Sequence, residues 1–120
     1  MSFYCAKAGI YKIKKKYQKQ FGYLFTGDVR KLSGKCKAFY QNWMEDDGFP
    51  SPTALCHLKN DMVDEWKGKY PTTYKDGIFT FSYSYNSYYG GAIFPDELVD
   101  LLKEIGIETD YDFWDEDCDT

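Results

Sequence analysis

Between Gly77 and Trp114 the apolar period changes from two to between three and four and back to two, which leaves few folds open to the chain. Phe79, Phe81, Tyr83 and Tyr85 alternate with Thr80, Ser82 and Ser84, the pattern of a strand with one aromatic buried face and one hydroxylic face. Pro95 suits the first turn of a helix, where its missing N–H has no partner to lose, and Asp96 and Glu97 complement the positive end of the dipole. Leu98, Leu101, Leu102 and Ile105 then form one apolar stripe that can cover a sheet. Gly106 stands where a left-handed cap would end the helix, with Ile107 placed to pack back on its last turn. Alternation resumes at once. Ile107, Thr109, Tyr111 and Phe113 are expected to close the core, with Glu108, Asp110 and Asp112 as a row of carboxylates on the opposite face. The pattern is strand, helix, strand, and it leaves open whether the two strands are adjacent and parallel or separated by a third.

The earlier part of the chain is helical in pattern, with one ambiguity. From Ala8 to Phe25 the residues Ile10, Ile13, Tyr17, Phe21 and Leu24 recur at helical steps, yet Tyr11 and Ile13 also alternate with Lys12 and Lys14, so a strand from about Gly9 to Lys15 competes with a helix. Thr26-Gly27-Asp28 reads as a turn before a helix starting near Val29, whose stripe is Leu32, Cys36, Phe39, Tyr40, Trp43 and Met44 with Ser33-Gly34 as an interruption. Glu45 to Gly48 ends it. Phe49 to Pro52 reads as a turn, Ser51 as the cap of a further helix to about Lys67 with Leu55, Leu58, Met62, Val63 and Trp66 buried, and Lys75-Asp76-Gly77 as the turn into the aromatic strand. The expectation is an α+β domain over residues 1–114, about three helices packed on a small sheet, followed by an acidic tail over 115–120 that is the one candidate for disorder.

With 120 residues the chain is one domain with a real core and little room for an elaborate catalytic site, and 12 Tyr and 9 Phe make that core ring-rich. No run approaches the length of a membrane span and the N-terminus lacks the layout of a signal peptide, so a cytoplasmic location is expected. Cys5, Cys36, Cys56 and Cys118 are scattered singly and read as buried or incidental thiols rather than as a zinc site or disulfide framework. Charge is divided along the chain. Up to Tyr40 ten bases face the single acid Asp28; from Gln41 onward five bases face eighteen acids.

Few residues suggest a reaction. His57, the only histidine, adjoins Cys56 in an expected helix, where neighbouring side chains diverge by about 100°, and it reads as a partly buried helix residue rather than a catalytic one. Nothing suggests a lowered thiol pKa at Cys56. The carboxylates near the C-terminus lack the glycine and glutamate spacing of an EF-hand loop, and Gly90-Gly91 lacks both phosphate-loop patterns, so neither metal nor cofactor is expected. Tyr88-Tyr89-Gly90-Gly91 reads as an aromatic loop suited to contact. Lys12, Lys14, Lys15, Lys16 and Lys19, interleaved with Tyr11, Tyr17, Phe21 and Tyr23, have the composition of a nucleic-acid contact.

The segment from Phe94 to Trp114, an apolar helix ending in Gly before an acidic alternating strand, resembles the C-terminal helix-strand of small cytosolic immunity proteins from bacterial toxin systems. In size, acidity and aromatic richness the chain is also similar to phage-encoded inhibitors of host defence, including anti-CRISPR proteins. Both resemblances imply a protein without chemistry of its own that occludes a nucleic-acid-binding or catalytic surface. Glu108, Asp110 and Asp112, extended by Asp115, Glu116 and Asp117, would supply negative charge to a basic protein partner such as a nuclease or effector complex, with Tyr83, Tyr85, Tyr88 and Tyr89 as aromatic contacts. The alternative is a nucleic-acid-binding adaptor that uses Lys12, Lys14, Lys15, Lys16, Tyr17 and Lys19.

Overall fold

The computed structural model describes the backbone of residues 2–45, 54–88 and 93–118, and the side chains of 5–45, 54–85 and 95–114. Strand β1 (Ser2–Ile13) leads directly into helix α1 (Lys15–Thr26), so both readings of the early segment hold, one after the other. Helix α2 (Gly34–Trp43) follows a single 3-10 turn at Val29–Lys31. A short helix α3 (Trp66–Lys69), a hairpin of β2 (Thr73–Lys75) and β3 (Ile78–Tyr88), helix α4 (Ile93–Ile105) and strand β4 (Gly106–Cys118) complete the chain. The fold is α+β: the described residues form four helices and a four-stranded antiparallel sheet in the order β2-β3-β1-β4.

The strand-helix-strand unit is therefore split. β3 and β4 run parallel to each other with β1 between them, antiparallel to both. α1, α2 and α4 cover one face, where Tyr11, Ile13, Phe21, Phe79, Phe81, Leu98, Leu102 and Ile105 are fully buried. Phe79 meets Phe21 edge-on at 4.8 Å and stacks on Phe81 at 5.4 Å. The chain then rounds the outer side of β3, where Ser84 N–H donates to the Lys59 carbonyl, and lays Trp66 and Tyr70 on Ala6 and Ala8 of the opposite face. The hairpin turn Asp76-Gly77 has positive φ at both residues, 54° and 78°, as a two-residue loop between twisted strands requires.

Three sequence expectations are corrected. The helix expected from Ser51 to about Lys67 is, over its described part, a 3-10 turn at Leu55–His57, an irregular loop and the single turn of α3. Asn60 is the cause: its Oδ1 accepts from Met62 N at 3.0 Å and Val63 N at 2.9 Å, occupying the amides that a helix would use, and Met62 is exposed. Gly106 is the first residue of β4 and not a left-handed cap. Ile107, Thr109, Tyr111 and Phe113 do not close the core; all are exposed, Ile107 by 58% and Phe113 by 60%. The turn at Phe49–Pro52 and the Ser51 cap lie outside the described residues. Asp115 to Cys118, read from sequence as part of a tail, continue the backbone pairing of β4 with β1.

α4 delivers the chain to β4 through a tight contact at Gly106, where an added Cβ would lie 2.7 Å from the Lys12 carbonyl oxygen and 3.2 Å from that of Leu102. Both neighbours are main chain and cannot swing aside. Gly106→Ala is expected to destabilise the fold by about 1–3 kcal/mol, read as a lower urea midpoint with unchanged slope. A loss under about 0.5 kcal/mol would show that helix and strand part freely there.

Candidate functional site

β4 forms one edge of the sheet, and its faces follow from its pairing with β1. Residues opposite each other share a face. Ile13, Tyr11 and Gly9 face the helices, and so do their partners Gly106, Glu108 and Tyr111, with Phe113 opposite Lys7. Ala8 and Ala6 face the other way, with Asp112 and Trp114 opposite them. The register shifts between Ile10 and Tyr11, leaving Thr109 as an extra residue whose hydroxyl donates to the Ile10 carbonyl at 2.9 Å. This bulge exchanges the faces. Glu108 and Asp110 sit two apart in sequence yet on opposite sides of the sheet, so the expected row of Glu108, Asp110 and Asp112 on one face is broken after its first member.

Each carboxylate has a distinct setting. Glu108 accepts the buried Tyr11 hydroxyl at 2.8 Å. Burial, then the Glu108 hydrogen bond and charge, push the Tyr11 phenol far above its usual range. Asp110 accepts from the N–H of Tyr111 at 2.9 Å and lies 3.9 Å from Lys69 Nζ. Beside it is the Tyr70 hydroxyl, buried and unpartnered, whose pKa is raised by its burial, raised further by Asp110 and lowered by Lys69. Asp112 accepts from the N–H of Phe113 at 2.9 Å and is in no ion pair among the described residues. On the helix-facing side the rings of Tyr111 and Phe113 stack at 6.4 Å in the open, because the helix layer draws its aromatic floor from β1 and β3. Among the described residues no β4 side chain belongs to the buried core.

The expected aromatic contacts are relocated. Tyr83 is buried in the core and Tyr85 is half-buried against it, stacked at 5.8 Å, so neither presents a free ring. They face the helices for the reason that makes Phe79 and Phe81 core residues, the same strand period. The side chains of Tyr88, Asp115, Glu116 and Asp117 lie outside the described residues, as does the whole of Tyr89. Sequence reasoning missed Tyr111 and Phe113 as surface rings. Their alternation with Asp110 and Asp112 is visible, but which strand lies at the edge is fixed by β1, three-quarters of the chain away.

Lys12, Lys14, Lys15, Lys16 and Lys19 are exposed, around the end of β1 and the start of α1, and none is in an ion pair among the described residues. Tyr17 packs partly against the core. Among the described residues, Lys7 and Lys35 are the early bases that reach across to later acids, Asp96 and Glu104. A groove of about 300 Å³ between α2 and α4 has Phe39 and Leu101 in its lining and the Lys35–Glu104 pair beside Glu97 and Asp100. His57 is exposed on its 3-10 turn and does not line this groove. Burial pushes the Cys36 thiol up to about 11, which makes it a poor nucleophile at neutral pH. Among the described residues no three His, Cys, Asp or Glu side chains gather where a metal could bind, and no helix is long and apolar enough to cross a membrane. No protein-family model, curated protein or solved structure matches the chain.

Five tyrosines, Tyr11, Tyr70, Tyr74, Tyr83 and Tyr85, are held above their ordinary value of 10.0, chiefly by burial. The fold thus favours the protonated phenol, and this contribution is complete below the unfolded pKa. Above about pH 10 the unfolded chain ionises first and stability falls. The urea midpoint is expected to hold from neutral pH to about pH 8.5, to slip as Cys36 ionises in the unfolded chain, and to drop steeply above about pH 10, less steeply in Tyr11→Phe. A midpoint that stays level to about pH 11 would mean that these hydroxyls are not withheld from water.

Proposed function

We propose that the protein is a non-enzymatic inhibitor of the anti-defence or toxin-immunity kind, which occupies the basic surface of a nucleic-acid-handling partner. The observation that supports this reading is the pairing of carboxylates and exposed stacked rings on one edge strand: half-buried Asp110 and exposed Asp112 beside Tyr111 and Phe113. Aromatic residues supply contact area at little entropic cost, and a carboxylate such as Asp112, in no ion pair among the described residues, supplies steering toward a cationic groove. On the helix side of the sheet α4 adds separate carboxylates, Glu97 and Asp100, neither of which is ion-paired among the described residues. Mimicry of a polyanion by an acidic surface requires no reaction of its own.

The reading is tested by charge reversal. With Asp110, Asp112 and Asp115 all changed to Lys, capture of the basic partner from host lysate should fail and its titrated affinity fall at least about a hundredfold. The melting temperature should stay within about 3 °C of the parent, since Asp110 and Asp112 lie outside the buried core. Undiminished capture by a folded triple variant would end the electrostatic account.

A second reading, the nucleic-acid adaptor, is supported by one feature of α1. Its first turn has Lys15 and Lys16, no acidic residue and no side-chain cap, so cations stand at the positive end of the helix dipole. The pair of changes Lys15→Glu and Lys16→Glu should stabilise the fold by about 0.5–1.5 kcal/mol. On this second reading the same variant loses a gel shift with single-stranded nucleic acid whose affinity in the parent falls steeply with salt. A parent protein that shifts no nucleic acid at low salt removes the adaptor.

A further inference from the structure

The main chain of β4 has an unpaired side, and its direction can be derived. Ile13 N–H donates to the Gly77 carbonyl at the start of β3, so the odd-numbered main-chain groups of β1 point toward β3 and the even-numbered ones toward β4. Ile10 and Ala8 therefore bond the main chain of Asp110 and Asp112, and the N–H and C=O of Tyr111 and Phe113 point outward. Among the described residues no strand or loop covers them. Their two N–H groups are instead held by the Asp110 and Asp112 carboxylates, each from the residue before.

This arrangement discriminates among occupants. A second copy pairing antiparallel along β4 with Tyr111 opposite Tyr111 or Phe113 would set aspartates opposite aspartates, a repulsive arrangement. An incoming strand with basic residues at alternate positions meets the opposite situation. Its carbonyls replace the carboxylates on the N–H groups of Tyr111 and Phe113. The displaced Asp110 and Asp112 then lie beside its Lys or Arg side chains at the closer, non-hydrogen-bonded pair positions, about 4.5–5.5 Å between Cβ atoms. The residues between them fall opposite Tyr111 and Phe113, whose exposed stacked rings accept apolar side chains.

We infer that the outer side of β4 receives an extended segment of the basic partner as a fifth strand, with basic and apolar residues alternating, and that Asp110 and Asp112 act as latches which only a cationic strand releases. This rests on the reading of the partner as basic and specifies how it is gripped.

The probe is a peptide of about eight residues alternating Lys and Val, long enough at about 3.4 Å per residue to pass Glu108 to Asp115. Two companions serve as comparisons, one with its Val nitrogens methylated and one alternating Glu and Val. The Lys peptide should bind and protect the Tyr111 and Phe113 amides from hydrogen exchange. Methylation should weaken it at least about tenfold, because it removes the main-chain donors while keeping charge and shape. The Glu peptide should not bind.

Equal binding of the methylated peptide would overturn strand addition while leaving the acidic-surface reading intact, and that reading answers separately to the lysate capture. Failure of the Lys peptide to protect the two amides would also overturn it. So would a dimer of the chain alone with those amides protected, since the occupant would then be a second copy.

Discussion

The candidate site depends on the pairing of β1 along both of its sides. Ser2–Ile13 is hydrogen-bonded to β3 from Ser2 to Lys12 and to β4 from Ser2 to Ile13. It takes the middle of the sheet and leaves β4 with one free side. Were β4 to pair with β3 instead, as a simple strand-helix-strand crossover allows, Tyr111 and Phe113 would lie nearer the centre of the helix layer, among Phe79, Phe81 and Tyr83. The exposure of Phe113 is thus a consequence of topology. A strand whose composition suits the interior is held at the rim because the first strand of the chain takes the interior place.

The bulge at Thr109 converts this topology into a site with two unlike faces. Without the extra residue, Glu108, Asp110 and Asp112 would share one side. With it, Glu108 turns toward the helices and closes the end of the core by accepting the Tyr11 hydroxyl, while Asp110 and Asp112 go to the far face and reach the amides of the next residues. Gly9 lies beside this junction, where its missing side chain leaves room for the Tyr11 ring. One inserted residue therefore divides a run of acids into a structural carboxylate and two edge carboxylates. Guarding an edge with charge is a general device against unwanted pairing. Here the guards belong to the sign that a basic strand would neutralise.

What the sequence made legible follows from the range of each interaction. The aromatic strand, the stripe of α4 and the turn at Asp76-Gly77 rest on contacts within a few residues, and they stand in the structure as the residue pattern implies. The α+β class followed from them. Less legible were features set by distant partners: the central place of β1, the bulge that depends on its register, and the burial of Tyr83 under helices from both halves of the chain. The Asn60 turn belongs to a different class. Its side-chain bonds to two amides are local and could have been weighed against the apolar stripe running through Leu58, Met62 and Trp66, which suggested a helix that the loop does not form.

The charge division acquires a direction from the same ladder. Lys12 and the lysines at the start of α1 lie at the end where β1 meets Gly106, while Asp110 and Asp112 lie farther along toward Ser2 and Cys118. Twelve paired residues span roughly 40 Å at about 3.4 Å each, comparable with the longest dimension of the molecule, 46 Å. Two bridges, Lys7–Asp96 and Lys35–Glu104, join the basic and acidic halves, Lys31 pairs with Asp28 within the basic half, and Lys12, Lys14, Lys15, Lys16 and Lys19 are in no ion pair among the described residues. Asp110 and Asp112, opposite Ile10 and Ala8, lie about 7 and 14 Å along β1 from Lys12, in the middle of the ladder. A cationic groove that draws in Asp110 and Asp112 also repels the lysines at the start of α1, which disfavours approach by the end where β1 meets Gly106. On this argument the lysines contribute orientation to the encounter even when they touch nothing, and they favour the approach in which the free side of β4 arrives first.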